Sequence, residues 1–278
     1  MKISRLRHAV LPALFALAGL VAVSALSPTA NAADAENAAA GSTTALTTVR
    51  IGIDPTYPPM DSKQPDGTLS GFDVDLGKEI CKRIQAHCVW VENEFSGMIP
   101  ALQARKIDIV LSAMAMTAKR RQQIDFTSKL YKFKSRLIAR KGASINETDS
   151  GLQGKHIGVQ TGTQFETYAN EHWRTHGADI VAYQNQEQVF ADLINGRLDA
   201  ALLGAVEAEY GFLKKPDGAA FAFAGAPLDM GDQGVGIGLR KDETALRDKI
   251  NQAIAAMRAD GTYQKIASQY FDFDPYGN

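Results

Sequence analysis

Short β-branched runs alternate with amphipathic helical stretches along residues 48–278, and that alternation predicts parallel α/β sheets. Val49-Arg50-Ile51-Gly52-Ile53 alternates and stops at Asp54-Pro55, a strand running into a loop. Leu76, Ile80 and Ile84 recur every four residues on a helix that follows Gly71-Phe72-Asp73. Strands are expected over 89–91 and 107–111, with a helix carrying Met98 and Leu102 between them. A second set follows the loop 142–154: strands over 156–159, 180–183 and 200–203, and helices over 165–176, 189–195 and 205–213. A further strand is expected over 234–239, then helices over 244–259 and 262–270 separated by Asp260-Gly261. Ligands of open parallel sheets sit outside the carboxyl ends of the strands. Asp54, Ser112, the stretch from Gln160 to Gln164, and Gly204 are therefore the positions to inspect.

Several function classes fall away on composition and motif. The net charge of −1 offers no field for nucleic acid or a membrane surface. There is no Gly-rich phosphate loop with its lysine and no G-x-S-x-G elbow. Of the five histidines only His172 and His176 share a helical face; without a glutamate between them a solvated face is the better reading than a metal site, so no metal or cofactor is expected. Lys2, Arg5 and Arg7, an uncharged run over 9–23 and Ala30-Asn31-Ala32 have the layout of a secretory signal peptide, residues 1–32, cleaved after Ala32. Residues 33–47 read as a flexible leader. In an exported chain the single pair Cys81 and Cys88 is expected to be oxidised rather than to remain two buried thiols.

The loop positions suit binding. Asp54, Tyr57, Asp73 and Phe95 place two carboxylates and two aromatic rings in early loops, a set that can hold a cation by pairing and stacking. Arg120 follows Ser112-Ala113-Met114-Ala115 and is suited to grip a carboxylate bidentately. Thr161-Gly162-Thr163-Gln164 opens a helix and offers N–H groups to an anion. Each also has a plainer reading, Asp73 as a helix cap and Arg120 as one of a run of surface bases.

Taken together the segments resemble the periplasmic lysine/arginine/ornithine- and histidine-binding proteins of polar amino-acid ABC importers. The resemblance runs over about 48–278. It is carried by Gly71-Phe72-Asp73-Val74-Asp75-Leu76, Cys81-Lys82-Arg83 with Cys88, Leu111 through Arg120, Leu152 through Val159, Gly196 through Ala201, Gly211-Phe212-Leu213-Lys214, Gly238-Leu239-Arg240-Lys241 and Asp260-Gly261-Thr262-Tyr263. It implies a periplasmic, monomeric, two-lobed protein with a two-strand hinge, its lobes mainly parallel sheets flanked by helices, closing on a small molecule and docking on a membrane permease. Residues 48–133 with 230–278 would form the first lobe and 136–226 the second. By the same resemblance Cys81 and Cys88 match a disulfide loop. Asp54, Tyr57, Asp73 and Phe95 surround the ligand's basic side chain, Arg120 grips its α-carboxylate, and Ser112, Ala113, Ala115, Gln160, Thr163, Gln164 and Gly204 complete the ligand-binding set.

The resemblance breaks at the α-ammonium end. Gly204 stands where the family has an aspartate, Ala115 replaces a serine, and Gln164 replaces a second hydroxyl. Two readings follow. Either Glu207 or Glu209 supplies the missing charge and the ligand is a free basic amino acid, or the ligand is an N-substituted arginine, opine-like, or a guanidino acid. A dehydratase-like enzyme on the same fold is the alternative of another class, with Glu166 or Glu207 as its acid or base; the expectation is no enzyme.

Overall fold

The computed structural model describes residues 47–277; the expected signal peptide and all but the last residue of the leader lie outside them. The chain opens with β1 (Thr48–Ile53), a small antiparallel sheet of β2 (Thr56–Tyr57), β3 (Asp61–Lys63) and β4 (Leu69–Ser70), and helix α1 (Phe72–Arg83). β5 (His87–Glu92), α2 (Met98–Gln103), β6 (Ile109–Val110), α3 (Ala118–Arg121) and β7 (Asp125–Phe126) follow. The second half comprises β8 (Ser135–Arg140), α4 (Asp149–Leu152), β9 (His156–Gln160), α5 (Gln164–His172), β10 (Asp179–Tyr183), α6 (Gln186–Ile194), β11 (Ala200–Gly204) and β12 (Phe221–Leu228). β13 (Gly238–Leu239), α7 (Thr244–Ala259) and α8 (Thr262–Ala267) close it.

These strands make two five-stranded sheets, β5-β1-β6-β13-β7 and β10-β9-β11-β8-β12, each the centre of one lobe. In the first, β1 runs parallel to β5 and β6 while β13 is antiparallel to β6 and β7. In the second, β9 is parallel to β10 and β11, and β8 is antiparallel to β11 and β12. The parallel pairs are the ones whose hydrophobic alternation was legible. β7, β8 and β12, at or next to the sheet edge, have a weaker pattern and carry the antiparallel pairings. The chain passes between sheets twice, from β7 to β8 and from β12 to β13. Along the second passage only Gly238–Leu239 of the expected 234–239 strand pairs continuously; Val235 makes isolated bridges to Ala115 and Tyr131.

Two helices also differ from expectation. The α-helix of 165–176 stops at His172 and finishes as a 3₁₀ turn, Arg174–His176, because Gly177 adopts φ 92° and ends it. The 205–213 helix is π-helical over Glu207–Leu213, with the Lys214 N–H donating five residues back to the Glu209 carbonyl. Such widened turns are frequent at functional sites.

Packing explains the rest. Ile51, Phe72, Leu76, Ile80, Leu239, Ile250 and Tyr263 form one core around the first sheet, and Leu137, Ile157, Val159, Val189, Leu202 and Phe212 another around the second. Cys81 and Cys88 form a disulfide, with Cα atoms 6.1 Å apart, tying α1 to β5. Gly71 joins the small sheet to α1 at φ 132°, and a Cβ there would strike the Met60 carbonyl, which accepts the Asp73 N–H. Only glycine fits that left-handed approach without strain. Gly71→Ala is therefore expected to cost about 2 kcal/mol or more and to lower the melting temperature by roughly 4–8 °C in a thermal scan.

Candidate functional site

β1, β6 and β9 end at one cleft between the lobes, and the residues that follow them line a small cavity. Its walls are Asp54, Tyr57, Phe95, Ser112, Ala113, Ala115, Arg120, Gln160, Thr163, Gln164 and Phe165. Ten of these were expected from sequence; Phe165 was not, because as the second residue of α5 it reads as a core position. Asp73 and Gly204 lie outside this wall.

Asp54 is the most connected group. Its Oδ1 accepts from Thr56 Oγ1 at 2.8 Å, and its Oδ2 accepts from the Phe95 N–H at 3.2 Å and from Gln160 Nε2 at 2.7 Å. The last bond crosses from the first sheet's side to the second's. Burial pushes the Asp54 carboxyl up, and these donors oppose the shift. Ser112 Oγ accepts the Asp54 N–H at 2.9 Å and donates to Asp61 Oδ2 at 3.0 Å. Its proton is thus committed, and Ser112 positions Asp54 and Asp61.

Arg120 is buried at the other polar end of the wall. Its Nη1 donates to the Ala115 carbonyl at 2.9 Å and its Nη2 to the Gly162 carbonyl at 3.1 Å, the second bond also crossing between lobes. The guanidinium stacks over Phe95 at 5.1 Å from the ring centre. No ion pair joins Arg120 to a carboxylate among the described residues. Burial pushes it down to about 10, opposed by the field of Asp232.

The opening of α5 is less free than expected. Thr163 caps the helix by accepting the Glu166 N–H, and its hydroxyl donates to the Gln160 carbonyl at 2.6 Å. The Gly162 N–H goes to Glu166 Oε2 at 2.7 Å, and the Thr163 N–H to the Gln160 carbonyl. The anion cradle read at 161–164 is thus partly filled from within, and Glu166 is occupied outside the cavity. His172, the last residue of α5, packs on Tyr168, and His176, in the 3₁₀ turn that follows, has Nδ1 2.6 Å from the His172 carbonyl.

Asp73 corrects the expectation for the basic end. It is fully buried behind the wall, its Oδ2 accepting from the Ala113 N–H at 2.7 Å and from Tyr131 Oη at 3.0 Å. Ala113 has φ 48°, a conformation that this carboxylate bond helps hold, so Asp73 shapes the wall without facing into it. Asp61 was missed altogether because three residues of a short strand give no signal. It is fully buried close to Asp73, and its Oδ1, like that of Asp73, has no hydrogen-bond partner among the described residues.

Gly204 ends β11 and donates its N–H to Tyr57 Oη at 3.2 Å, a third bond between lobes. It lines an adjoining cavity with Glu207, and Tyr57, Ala113, Ala115, Gln164 and Phe165 are common to both cavities. Glu207 is buried and its Oε2 has no partner among the described residues; burial, with Asp73 adding to it, pushes its carboxyl up to about 7. Glu209 instead pairs with Lys214 at 3.0 Å on the surface.

Burial, then the field of Asp73, holds Asp61 well above the usual carboxylate range, and burial lifts Asp73 to about 7. Both acids belong to one lobe and keep their protons in the folded chain when the unfolded chain, titrating near pH 4, has lost them. The folded state then binds more protons, so stability falls as pH rises from about 4 to 7. Denaturant melts of the ligand-free protein should give a higher midpoint at pH 5 than at pH 8, and Asp61→Asn should flatten that slope.

The family model described as bacterial extracellular solute-binding proteins, family 3, matches residues 49–273. The lysine/arginine/ornithine-binding periplasmic protein of Escherichia coli K12 is 52% identical over 235 residues, covering 83% of this chain and 90% of that one. The histidine-binding periplasmic protein of Salmonella typhimurium is 49% identical over 232 residues, covering 82% and 89%. Among solved structures, an ancestral arginine-binding protein bound to arginine superposes with a TM-score of 0.76 at 34% identity, over 81% of this chain and 98% of that one. The cleft between two mixed sheets and the length of these matches lead to one conclusion: the chain belongs to the bacterial extracellular solute-binding proteins of family 3.

Proposed function

We propose that this protein captures a free basic amino acid, such as arginine, lysine, ornithine or histidine, in the periplasm and delivers it to the membrane permease of an ABC importer. The observation that carries this reading is a buried guanidinium, Arg120, without a carboxylate partner among the described residues, in the same cavity wall as the buried carboxylate of Asp54. A molecule with a carboxylate at one end and a cation at the other supplies both missing counter-charges. Phe95 and Tyr57 flank the path between them and suit an aliphatic stem ending in a cation. The relatives' specificities support the same ligand class.

The working cycle follows from the bonds between lobes. Gln160 to Asp54, Arg120 to the Gly162 carbonyl and Gly204 to Tyr57 hold the closed arrangement, with 48–133 plus 230–278 as one moving body and 136–226 as the other. A ligand touching both bodies has higher affinity for the closed form and shifts the population toward it. The permease reads the closed form. Capture involves no chemical step; turnover of prephenate or arogenate by the purified protein would replace this reading with the enzymatic one. The cavity beside Gly204 favours a second reading, a ligand enlarged at its α-nitrogen such as an opine.

In a thermal-shift assay of refolded, ligand-stripped protein, arginine or lysine at about 100 times its dissociation constant should add about 2.7 kcal/mol, a rise of roughly 5–10 °C. Arg120→Met should weaken arginine binding at least ~100-fold in calorimetry, because it removes the charge-assisted grip on the carboxylate. Undiminished arginine binding by that variant would sink the assignment.

A further inference from the structure

We propose that Glu207 is the partner of the ligand's α-ammonium and the residue that restricts the site to free α-amino acids. This rests on the reading of the site as a basic amino-acid pocket and decides between the two ligands that reading leaves open.

The geometry is local. Gly204 is the last residue of β11, and the chain turns at once into the helical segment that holds Glu207 three residues on. Helical side chains point back toward the preceding turn, so the Glu207 carboxylate is directed at Gly204. A Cβ built on Gly204 would collide with Glu207 Oε2 and lie 2.8 Å from its Cδ. The carboxylate therefore occupies the place that a side chain at 204 would take, and any residue larger than glycine there would push it aside. An aspartate at 204 with alanine at 207, or glycine with glutamate, each put one carboxylate in the same corner.

That corner belongs to the cavity next to the ligand cavity. Gly204 and Glu207 line it, and Tyr57, Ala113, Ala115, Gln164 and Phe165 line both, so only the side chains of this shared wall separate the Glu207 carboxyl from the ligand cavity. It is nine-tenths or more buried, and Oε2 has no partner among the described residues. Unpaired carboxylate oxygen in that setting is costly unless a cation arrives. Ala115, where the resemblance expects a hydroxyl, leaves the ammonium one fewer acceptor, which concentrates its recognition on Glu207.

Binding should also move a proton. Glu207 faces Tyr57, Asp61, Asp73 and Tyr131, with Lys134 and Asp232 on the same cavity, and burial raises its carboxyl to about 7. An ammonium placed against it favours the ionised form. Arginine binding then releases a proton near pH 7, and affinity rises as pH goes from 6 to 8.

The test compares arginine with Nα-acetylarginine and octopine in titration calorimetry, using wild type, Glu207→Gln and the double variant Glu207→Ala with Gly204→Asp. Wild type should bind arginine about 30-fold or more tighter than Nα-acetylarginine. Glu207→Gln, which keeps the shape of the corner, should lose arginine about 30-fold or more while holding Nα-acetylarginine within roughly threefold, and should no longer release the proton. The double variant should regain at least about tenfold of the arginine affinity. Arginine bound by Glu207→Gln within threefold of wild type, or octopine preferred by wild type, overturns the assignment of Glu207 while leaving the pocket reading intact. Loss of all ligands in Glu207→Gln without recovery in the double variant also overturns it. Wild type that binds none of the three compounds overturns the pocket reading itself.

Discussion

One buried arginine and the buried Asp54 carboxylate line the cleft, with the acids Asp61, Asp73 and Glu207 buried beside or behind it, and among the described residues no ion pair joins the arginine to any of them. Arg120 spends its bonds on two backbone carbonyls, while Asp54, Asp61, Asp73 and Glu207 lie within one another's fields or accept from neutral donors. Removing charges from water costs several kcal/mol per ion unless geometry returns it. Burial of these groups without counter-charges is therefore costly at both ends of the cleft, for opposite reasons. A solute carrying both a carboxylate and a cation relieves both at once, and one carrying only one of the two charges does not. Selectivity and closure thus have the same source.

The rest of the fold serves to hold those charges apart. Ser112 is fixed between the Asp54 N–H and Asp61, Asp73 pins the left-handed turn at Ala113, and Tyr131 secures Asp73 from the hinge passage. Val235 then bridges Tyr131 and Ala115 from the returning passage. The hinge, the strand end and the acid cluster are therefore one connected structure. Bending the hinge must alter the surroundings of Asp73 and with them the shape of the wall at Ala113. That link joins the passages between the sheets to the wall of the site through Tyr131 and Asp73.

Much of this was legible in the residues, but unevenly. β1, β6, β9 and β11 announced themselves by short hydrophobic runs, and the strand-end rule led to Asp54, Ser112, Gln160 and Gly204. Arg120 stood out because it follows the small residues of a strand end and can grip a carboxylate bidentately, although its neighbours Lys119 and Arg121 equally allowed a surface base. Asp61 was invisible: it sits in a three-residue strand whose two partners are two residues long each, below the length at which periodicity carries information. Asp73 was legible as important and misplaced in role, since a carboxylate behind a wall and one in front of it look alike in sequence. β8 and β12 escaped because Ser135–Arg140 and Phe221–Leu228 mix basic or small residues with apolar ones, and pairing across some 80 residues leaves no local trace.

Gly204 shows why a site comparison by position alone can mislead. A missing aspartate reads as a lost charge, yet a glycine at a strand end next to a helix start is also the one residue that admits a carboxylate from the following turn. Position 207 is the helical residue whose side chain falls back over 204, so compensation is available there at no change in backbone length. Glu209, two residues further on, projects from a different face and is spent on Lys214. The π-helical turn that starts at Glu207 widens the segment and sets its register against β11. Charge conservation in a binding site is thus better judged by which atoms reach a point in space than by which residue stands at one number.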